Sequence, residues 1–121
     1  MIIKGKVIEG EKIGRTLGFP TANIEPVEGS VIPERGVYAV LVIIEGKNYK
    51  GMMNIGYRPT LNIPGLSIEV NLFEFDEDIY GKDIEVQIVK KIRDEVKFNG
   101  IEELKKQIFK DKIIVNDILS H

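Results

Sequence analysis

Residues 14–23, GRTLGFPTAN, bring together residue types that can hold a charged ligand. Glycine lets the backbone approach a ligand closely, and Pro20 fixes its own φ while it pushes the preceding residue toward extended geometry. Thr21 and Asn23 add side-chain oxygens of the kind that hard cations prefer. The spacing therefore predicts a rigid turn that binds a phosphate or a metal ion. A simpler role stays open, in which Thr21 and Asn23 only stabilise the turn through backbone hydrogen bonds.

Any general base in this chain is expected to be a carboxylate or a lysine. The sequence has no cysteine, and its one histidine is the terminal residue, His121. The sequence also lacks the GxxxxGK[ST] phosphate loop, the GxGxxG dinucleotide motif, the GxSxG nucleophile elbow and the HExxH metal motif. A thiolate site is therefore excluded, and imidazole catalysis is not expected.

Residues 67–72 alternate strictly between polar and apolar types, which predicts a strand with two different faces. The apolar residues at the even positions share one face. Ser67, Glu69 and Asn71 share the other. Glu69 therefore lies on the face opposite the apolar one, and the strand pattern alone favours a solvated glutamate there.

Composition limits the classes of protein and partner. At 121 residues the chain has the size of one domain with a real core, and 43% hydrophobic with 30% charged residues is ordinary for a globular protein. No apolar run reaches the roughly 20 residues that span a bilayer, and no secretory signal is visible, so a cytoplasmic location with no membrane partner is the default. A net charge of −2, with only four tyrosines and five phenylalanines, predicts no nucleic-acid partner.

Short strand-like runs separated by turn signals extend to about residue 93. Residues 37–44 are apolar without alternation, which predicts a strand that is covered on both sides. The predicted strands are residues 2–8, 37–44, 49–55, 67–72 and about 84–88, with residues 56–65 as a loop. Five or six short antiparallel strands followed by a helix predict a small closed or nearly closed barrel, because closure removes the edges of the sheet.

One helical pattern follows the strands. Ile101, Leu104 and Ile108 share its predicted apolar face, and Asn99 with Glu102 predicts an N-cap pair at its start. Residues 112–119 either extend this helix or form a second short one.

Five segments occur in a fixed order: GRTLGFPTAN at 14–23, GVYAV at 36–40, GMMNIGYRPT at 51–60, IEVNLFEFDEDIYG at 68–81 and IRDEVKF at 92–98. Together they resemble the riboflavin kinase family, both the stand-alone enzymes and the C-terminal half of bacterial bifunctional FAD synthetases. The resemblance implies a mainly β fold, a six-stranded antiparallel Greek-key barrel with a C-terminal α-helix, as a single kinase domain over residues 1–121. No segment resembles an adenylyltransferase, so formation of FMN without FAD is expected.

The resemblance also implies an activity, which is the transfer of the γ-phosphate of ATP to the terminal ribityl hydroxyl of riboflavin, giving FMN and ADP. Glu69 corresponds to the catalytic base, and Asn54 and Arg93 correspond to flavin-binding residues. Thr21 and Asn23 correspond to ligands of Mg²⁺, with Mn²⁺ or Zn²⁺ as open alternatives. The residues implied to bind nucleotide phosphates are Gly14, Arg15, Gly18, Pro20, Thr21 and Asn23.

Several alternatives remain open at this point. Arg93 could pair with Asp94, Glu95 or another surface acid instead of a flavin. The whole chain could be a non-catalytic flavin- or nucleotide-binding barrel. The donor could be GTP or CTP instead of ATP, and a monomer is expected.

Overall fold

Six β-strands and one α-helix form the computed structural model of the protein, which describes residues 1–8, 21–56, 67–75, 78–96 and 98–120. The strands close into a barrel, so no described strand has an unpaired edge. The elements in chain order are β1 (Ile2–Ile8), β2 (Thr21–Pro26), β3 (Gly36–Ile44), β4 (Lys47–Gly56), β5 (Ser67–Leu72), β6 (Asp83–Arg93) and α1 (Ile101–Leu119).

The order of strands around the barrel is β1, β2, β5, β4, β3, β6, and every neighbouring pair is antiparallel. Strands β3, β4 and β5 follow one another as direct neighbours, while β2 lies beside β5 and β6 beside β3. A strand that returns over a long connection to flank three consecutive strands is the Greek-key arrangement. The predicted six-stranded Greek-key barrel with a C-terminal helix is confirmed.

The interior of the barrel is apolar, and every strand contributes to it. On β5, Ile68, Val70 and Leu72 belong to this core, so the predicted alternation of that strand is confirmed. Strand β3 is buried on both faces over most of its length, as the absence of alternation predicts. Its residues Val37 and Ala39 point outward and pack beneath α1.

Strand β2 was not predicted, since residues 14–23 suggested a turn. Thr21 and Asn23 lie in this strand, not in a turn. Ala22 and Ile24 are 7% and 2% exposed and point into the barrel, which sends Thr21 and Asn23 to the outer face. Polar and apolar residues do alternate over TANIE, but this segment is short. The turn-forming residues before it therefore lead the sequence pattern to predict a turn instead of a strand.

Strand β6 is longer than predicted and ends at Arg93. Its pairing with β3 shifts register at two places, between Val37 and Tyr38 and between Ala39 and Val40. Each shift inserts an extra residue into β6, which interrupts the period of two that sequence patterns rely on. After the shifts Arg93 lies opposite Val37, on the outer face of the barrel.

Helix α1 is a single helix that packs on the outside of the barrel against β3, β4 and β6. Its N-cap is Gly100 without a side-chain cap, so the predicted Asn99 and Glu102 pair is wrong; the amide of Asn99 instead donates to Glu103 Oε2 at 3.3 Å. Ile101 is 52% exposed, so its place on the apolar face is also wrong. Within the described ranges, no helix has the length and apolar character needed to cross a membrane.

Candidate functional site

Four of the predicted site residues fall in one transverse row of the barrel. Cross-strand pairing places Asn23 of β2 opposite Glu69 of β5, and Glu69 opposite Asn54 of β4. The row continues from Asn54 to Val37 of β3, and from Val37 to Arg93 of β6. Directly paired residues point to the same face with Cβ atoms about 5 Å apart. We call these five residues, which occupy neighbouring strands on the outer face, the site row.

Glu69 lies at the centre of the polar end of the site row. Its neighbours along the chain, Ile68 and Val70, point into the barrel, so Glu69 points outward as predicted. It is nevertheless only 9% exposed. The alternative of a solvated glutamate is therefore wrong, because the outer face of β5 is covered at this position. Charges interact more strongly where water is excluded, so the Glu69 carboxylate can act strongly on a group bound beside it.

Thr21 precedes Asn23 on the same face of β2 and lies opposite Asn71 of β5. Its hydroxyl donates a hydrogen bond to Asn71 Oδ1 at 2.8 Å. Asn71 was not predicted as a site residue. The signal for it was available, since Asn71 shares the polar face of β5 with Glu69 in the strict alternation of that strand.

Asn54 has a buried side-chain oxygen that accepts no hydrogen bond from a described residue. Its Oδ1 atom is inaccessible to solvent and has no hydrogen-bond partner among the residues that the structure describes. An acceptor buried without a donor costs about 1–3 kcal/mol. An oxygen in this state beside Glu69 is suited to receive a hydroxyl or N–H from a ligand.

The pair Thr21 and Asn23 fits a magnesium ion by the chemistry of its donors. The two residues lie on one face of β2, about 7 Å apart along the strand. A hydroxyl and an amide carbonyl are hard oxygen ligands, and Mg²⁺ in phosphoryl-transfer sites takes few protein ligands beside water and phosphate. Among the described residues, no group of three or more histidine, aspartate or glutamate side chains could hold a metal.

Arg93 forms a bidentate ion pair with a buried aspartate of α1. Its Nε contacts both carboxylate oxygens of Asp111 at 3.0 Å, and its Nη2 contacts Oδ2 at 2.7 Å. Asp111 is 1% exposed and also accepts a hydrogen bond from Gln107 Nε2 at 2.9 Å. Arg93 therefore pairs with an acid, but the acid is the buried Asp111 and not Asp94, Glu95 or another surface acid as the alternative expected.

The rest of the Arg93 guanidinium holds the segment that follows β6. Its Nη1 donates to the carbonyl of Asp94 at 3.1 Å, and the group lies 5.8 Å from the centre of the Phe98 ring. Glu95 in this segment reaches the end of β4, where a Cβ added to Gly56 would clash with the Glu95 carboxylate. Glycine at that position therefore allows the Glu95 carboxylate to lie against β4, next to Asn54 along the outer face.

Four predicted nucleotide-binding residues, Gly14, Arg15, Gly18 and Pro20, lie outside the described residues. Their roles remain predictions. The other five predicted residues lie on one face of the barrel, although the ion pair of Arg93 is directed to Asp111 of α1; these residues are Thr21, Asn23, Asn54, Glu69 and Arg93.

Comparison with known sequences gives a consistent result. A sequence model of the flavokinase family, described as riboflavin kinase, matches residues 1–119. The chain is 51% identical over 113 residues to the bifunctional riboflavin kinase/FMN adenylyltransferase of Bacillus subtilis, covering 91% of this chain and 36% of that protein. It is 45% identical over 112 residues to an RNA-binding riboflavin kinase of the same organism, covering 91% of this chain and 47% of that protein. The chain therefore spans less than half the length of these relatives.

Two solved structures share the fold. A crystal structure described as a macrolide-efflux protein from Streptococcus pneumoniae matches with a TM-score of 0.88 at 35% identity, covering 95% of this chain and 38% of that one. The riboflavin kinase of Trypanosoma brucei matches with a TM-score of 0.67 at 25% identity, covering 98% of this chain and 79% of that one. The closed six-stranded barrel of this chain is thus a fold that a riboflavin kinase also has. This chain belongs to the flavokinase family, whose described activity is that of riboflavin kinase.

Proposed function

We propose that this chain phosphorylates riboflavin, transferring the γ-phosphoryl group of ATP to the terminal ribityl hydroxyl and releasing FMN and ADP. The observation that carries the proposal is the adjacency of Asn23, Glu69 and Asn54 on three neighbouring strands of a flavokinase barrel. This adjacency puts a carboxylate between a candidate ligand of the metal–nucleotide complex and a candidate flavin ligand. Phosphoryl transfer requires both substrates to meet at such a point.

Glu69 is assigned as the general base. In the proposed reaction the ribityl oxygen forms a bond to the γ-phosphorus, the bond from that phosphorus to the bridging oxygen of ADP breaks, and Glu69 accepts the hydroxyl proton. Because the transition state is loose, the main work of the site is to orient the hydroxyl in line with the phosphoryl group. The 9% exposure of Glu69 supports this role, because little water can reach the site and compete with the carboxylate for that proton.

Thr21 and Asn23 are assigned to the metal and the nucleotide phosphates. Mg²⁺, when bound, neutralises charge on the phosphate oxygens and helps to align the transferred group. The two side chains would hold it with neutral oxygens, and ATP serves as co-substrate. Gly14, Arg15, Gly18 and Pro20 are proposed to complete the nucleotide site, with the arginine donating paired hydrogen bonds to phosphate.

Asn54 is assigned to the flavin, because its buried Oδ1 lacks a donor among the described residues and lies one strand away from Glu69. Arg93 is also assigned to the flavin, through the segment that it holds. Its Nε and Nη2 are occupied by Asp111, so a flavin contact would use the remaining N–H groups or the face of the guanidinium.

A direct assay tests the activity. The protein is incubated with riboflavin, ATP and MgCl₂, and FMN and ADP are separated by chromatography; equal amounts of both products are expected. Reactions without protein and reactions without metal serve as controls. Binding of riboflavin or Mg·ADP without any turnover would instead support a non-catalytic flavin- or nucleotide-binding barrel.

The same assay separates the finer proposals. Replacing ATP by GTP or CTP tests the donor, and replacing Mg²⁺ by Mn²⁺ or Zn²⁺ tests the metal. A single domain over residues 1–121, a monomeric state, a cytoplasmic location and the absence of a nucleic-acid partner stay predictions from the sequence. Size-exclusion chromatography with light scattering tests the monomer, and an RNA-binding assay tests the last of these.

A further inference from the structure

Asn71 is a polar residue of the outer face that the family resemblance does not assign to any role. It lies in β5 two positions after Glu69 and is paired with Thr21 of β2 on one side and Met52 of β4 on the other. Met52 is 4% exposed and belongs to the apolar cluster beneath α1. Of these two neighbours, only Thr21 offers the Asn71 amide a strong hydrogen-bonding group.

The direction of the hydrogen bond between these residues has a chemical consequence. A threonine hydroxyl has one proton and two lone pairs, and here the proton is donated to Asn71 Oδ1 at 2.8 Å. A hydroxyl that has donated its proton presents only lone pairs to any further group. Those lone pairs are what a metal ion requires of a neutral oxygen ligand.

We propose that Asn71 is a positioning residue that acts through Thr21, fixing the hydroxyl so that its lone pairs face the metal–nucleotide complex. This inference rests on the proposed function. A partner behind a metal ligand fixes the orientation of that ligand and makes it more basic, and loss of such a partner typically weakens metal binding by about 10- to 100-fold.

The position of Asn71 also connects the two halves of the reaction. Asn71 and Glu69 lie on the same face of one short strand, so the residue that orients Thr21 and the proposed base move together. A shift of β5 relative to β2 would disturb the metal site and the base at once. Strand β5 therefore sets the distance between the transferred phosphoryl group and the group that deprotonates its acceptor.

A double-mutant cycle tests the proposal. The variants are Asn71→Leu, which keeps the approximate shape without the acceptor, Thr21→Val, and the two combined. Isothermal titration measures binding of Mg·ADP, and quenching of flavin fluorescence measures binding of riboflavin. We expect Asn71→Leu to weaken Mg·ADP binding by about 10-fold while riboflavin binding is unchanged. We expect no further loss when it is added to Thr21→Val.

Two further variants separate positioning from general damage to the barrel. Asn71→Asp keeps an acceptor for the hydroxyl proton and should bind Mg·ADP within about threefold of the unmodified protein. Asn48→Leu changes an exposed asparagine of β4 and should leave Mg·ADP binding and melting temperature unchanged.

The outcomes distinguish the inference from the proposed function. The inference is overturned if Asn71→Leu binds Mg·ADP normally, if its loss persists in the Thr21→Val background, or if Asn71→Asp loses as much as Asn71→Leu. Mg·ADP binding without turnover in the unmodified protein would overturn the proposed function alone. Absence of Mg·ADP binding in that protein would overturn both.

Discussion

The two ends of the site row differ in a way that separates function from stability. At the polar end, Asn23, Glu69 and Asn54 present amide and carboxylate groups on β2, β5 and β4. At the other end, Val37 and Arg93 lie beneath α1, in contact with its buried residues. All five positions belong to one row of one barrel. The inner faces of all these strands pack in the apolar core, so the two ends differ only in the residues of the outer face.

Hydrogen bonding also distinguishes the polar end from the helix-covered end. At the helix-covered end, Asp111 receives hydrogen bonds from Arg93 and Gln107, so its buried carboxylate is fully compensated. At the polar end, Asn54 keeps a buried oxygen without a partner among the described residues. A compensated group stabilises the folded chain, whereas an uncompensated one is useful only when a ligand arrives. The contrast supports the assignment of the polar end to substrate binding.

The largest effect is expected at the centre of the polar end. Glu69→Gln should lower kcat for FMN formation by about 10² to 10⁴ with little change in riboflavin affinity, because the amide keeps the shape but cannot accept the proton. Steady-state kinetics and fluorescence titration measure the two quantities. Glu25→Gln, at an exposed position of β2, is the matched control and should retain full activity. Equal activity of both variants would exclude Glu69 as the base.

A substitution at the helix-covered end should lower the free energy of unfolding. Asp111→Ala leaves Arg93 without its carboxylate partner, and breaking a buried ion pair from one side typically costs about 3–5 kcal/mol. Because the Arg93 side chain is 21% exposed, we expect about 2–3 kcal/mol, measured by urea unfolding at neutral pH. Glu102→Ala, at an exposed position of the same helix, should cost less than about 1 kcal/mol. Similar losses in both variants would mean that the pair does not anchor α1.

A smaller change in the free energy of unfolding, a gain instead of a loss, is expected on substitution of Asn54. Asn54→Leu removes a buried oxygen to which no described residue donates, so the ligand-free protein should gain about 1 kcal/mol of stability. Riboflavin binding should weaken by about 10-fold, since the acceptor is lost. Thermal unfolding with and without riboflavin measures both. A loss of stability in the ligand-free variant would show that Asn54 serves the fold, and would remove the contrast between the two ends.

The smallest effect concerns exposed ion pairs that belong to neither end. Lys91 contacts Glu34 at 2.6 Å and Asp94 at 2.7 Å, and the hydrogen bond from Lys91 holds the pKa of Asp94 below its usual value. Because the folded-state pKa of Asp94 is lowered, this ion pair stabilises the fold at pH values above the usual aspartate pKa of about 3.9, and the contribution is lost as the pH falls through the lowered pKa. Lys91→Met should therefore lower the melting temperature by about 1–2 °C at pH 7 and by less at pH 3. A difference that grows toward pH 3 would contradict this sign.

The sequence predicts the elements whose pattern is uninterrupted. Strand β5 alternates without exception, and its two faces follow directly from the order of its residues. Strand β2 was missed because Thr21–Pro26 is short and follows a run of turn-forming residues. Strand β6 was predicted too short, because two register shifts interrupt its alternation before Arg93.

The site was predicted in its residue types but not in its arrangement. The family resemblance supplies Asn23, Glu69 and Asn54, yet only the strand order shows that they are direct neighbours. Asn71 was missed, although the alternation of β5 places it on the polar face with Glu69, because its contact with Thr21 joins residues 50 positions apart in the chain. The Arg93 partner Asp111 was missed for the same reason, since an acid on a distant helix leaves no local pattern.

Closure of the barrel has a consequence for its dynamics. Each of the six strands is paired on both sides, so no strand can detach without breaking two ladders at once. Amide hydrogens in such a ring are expected to exchange through one shared opening event instead of fraying inward from an edge. A destabilising substitution far from the site, for example in the paired region of β1 and β6, would then speed exchange of the backbone amides of Asn23 and Asn54 as much as exchange at its own position.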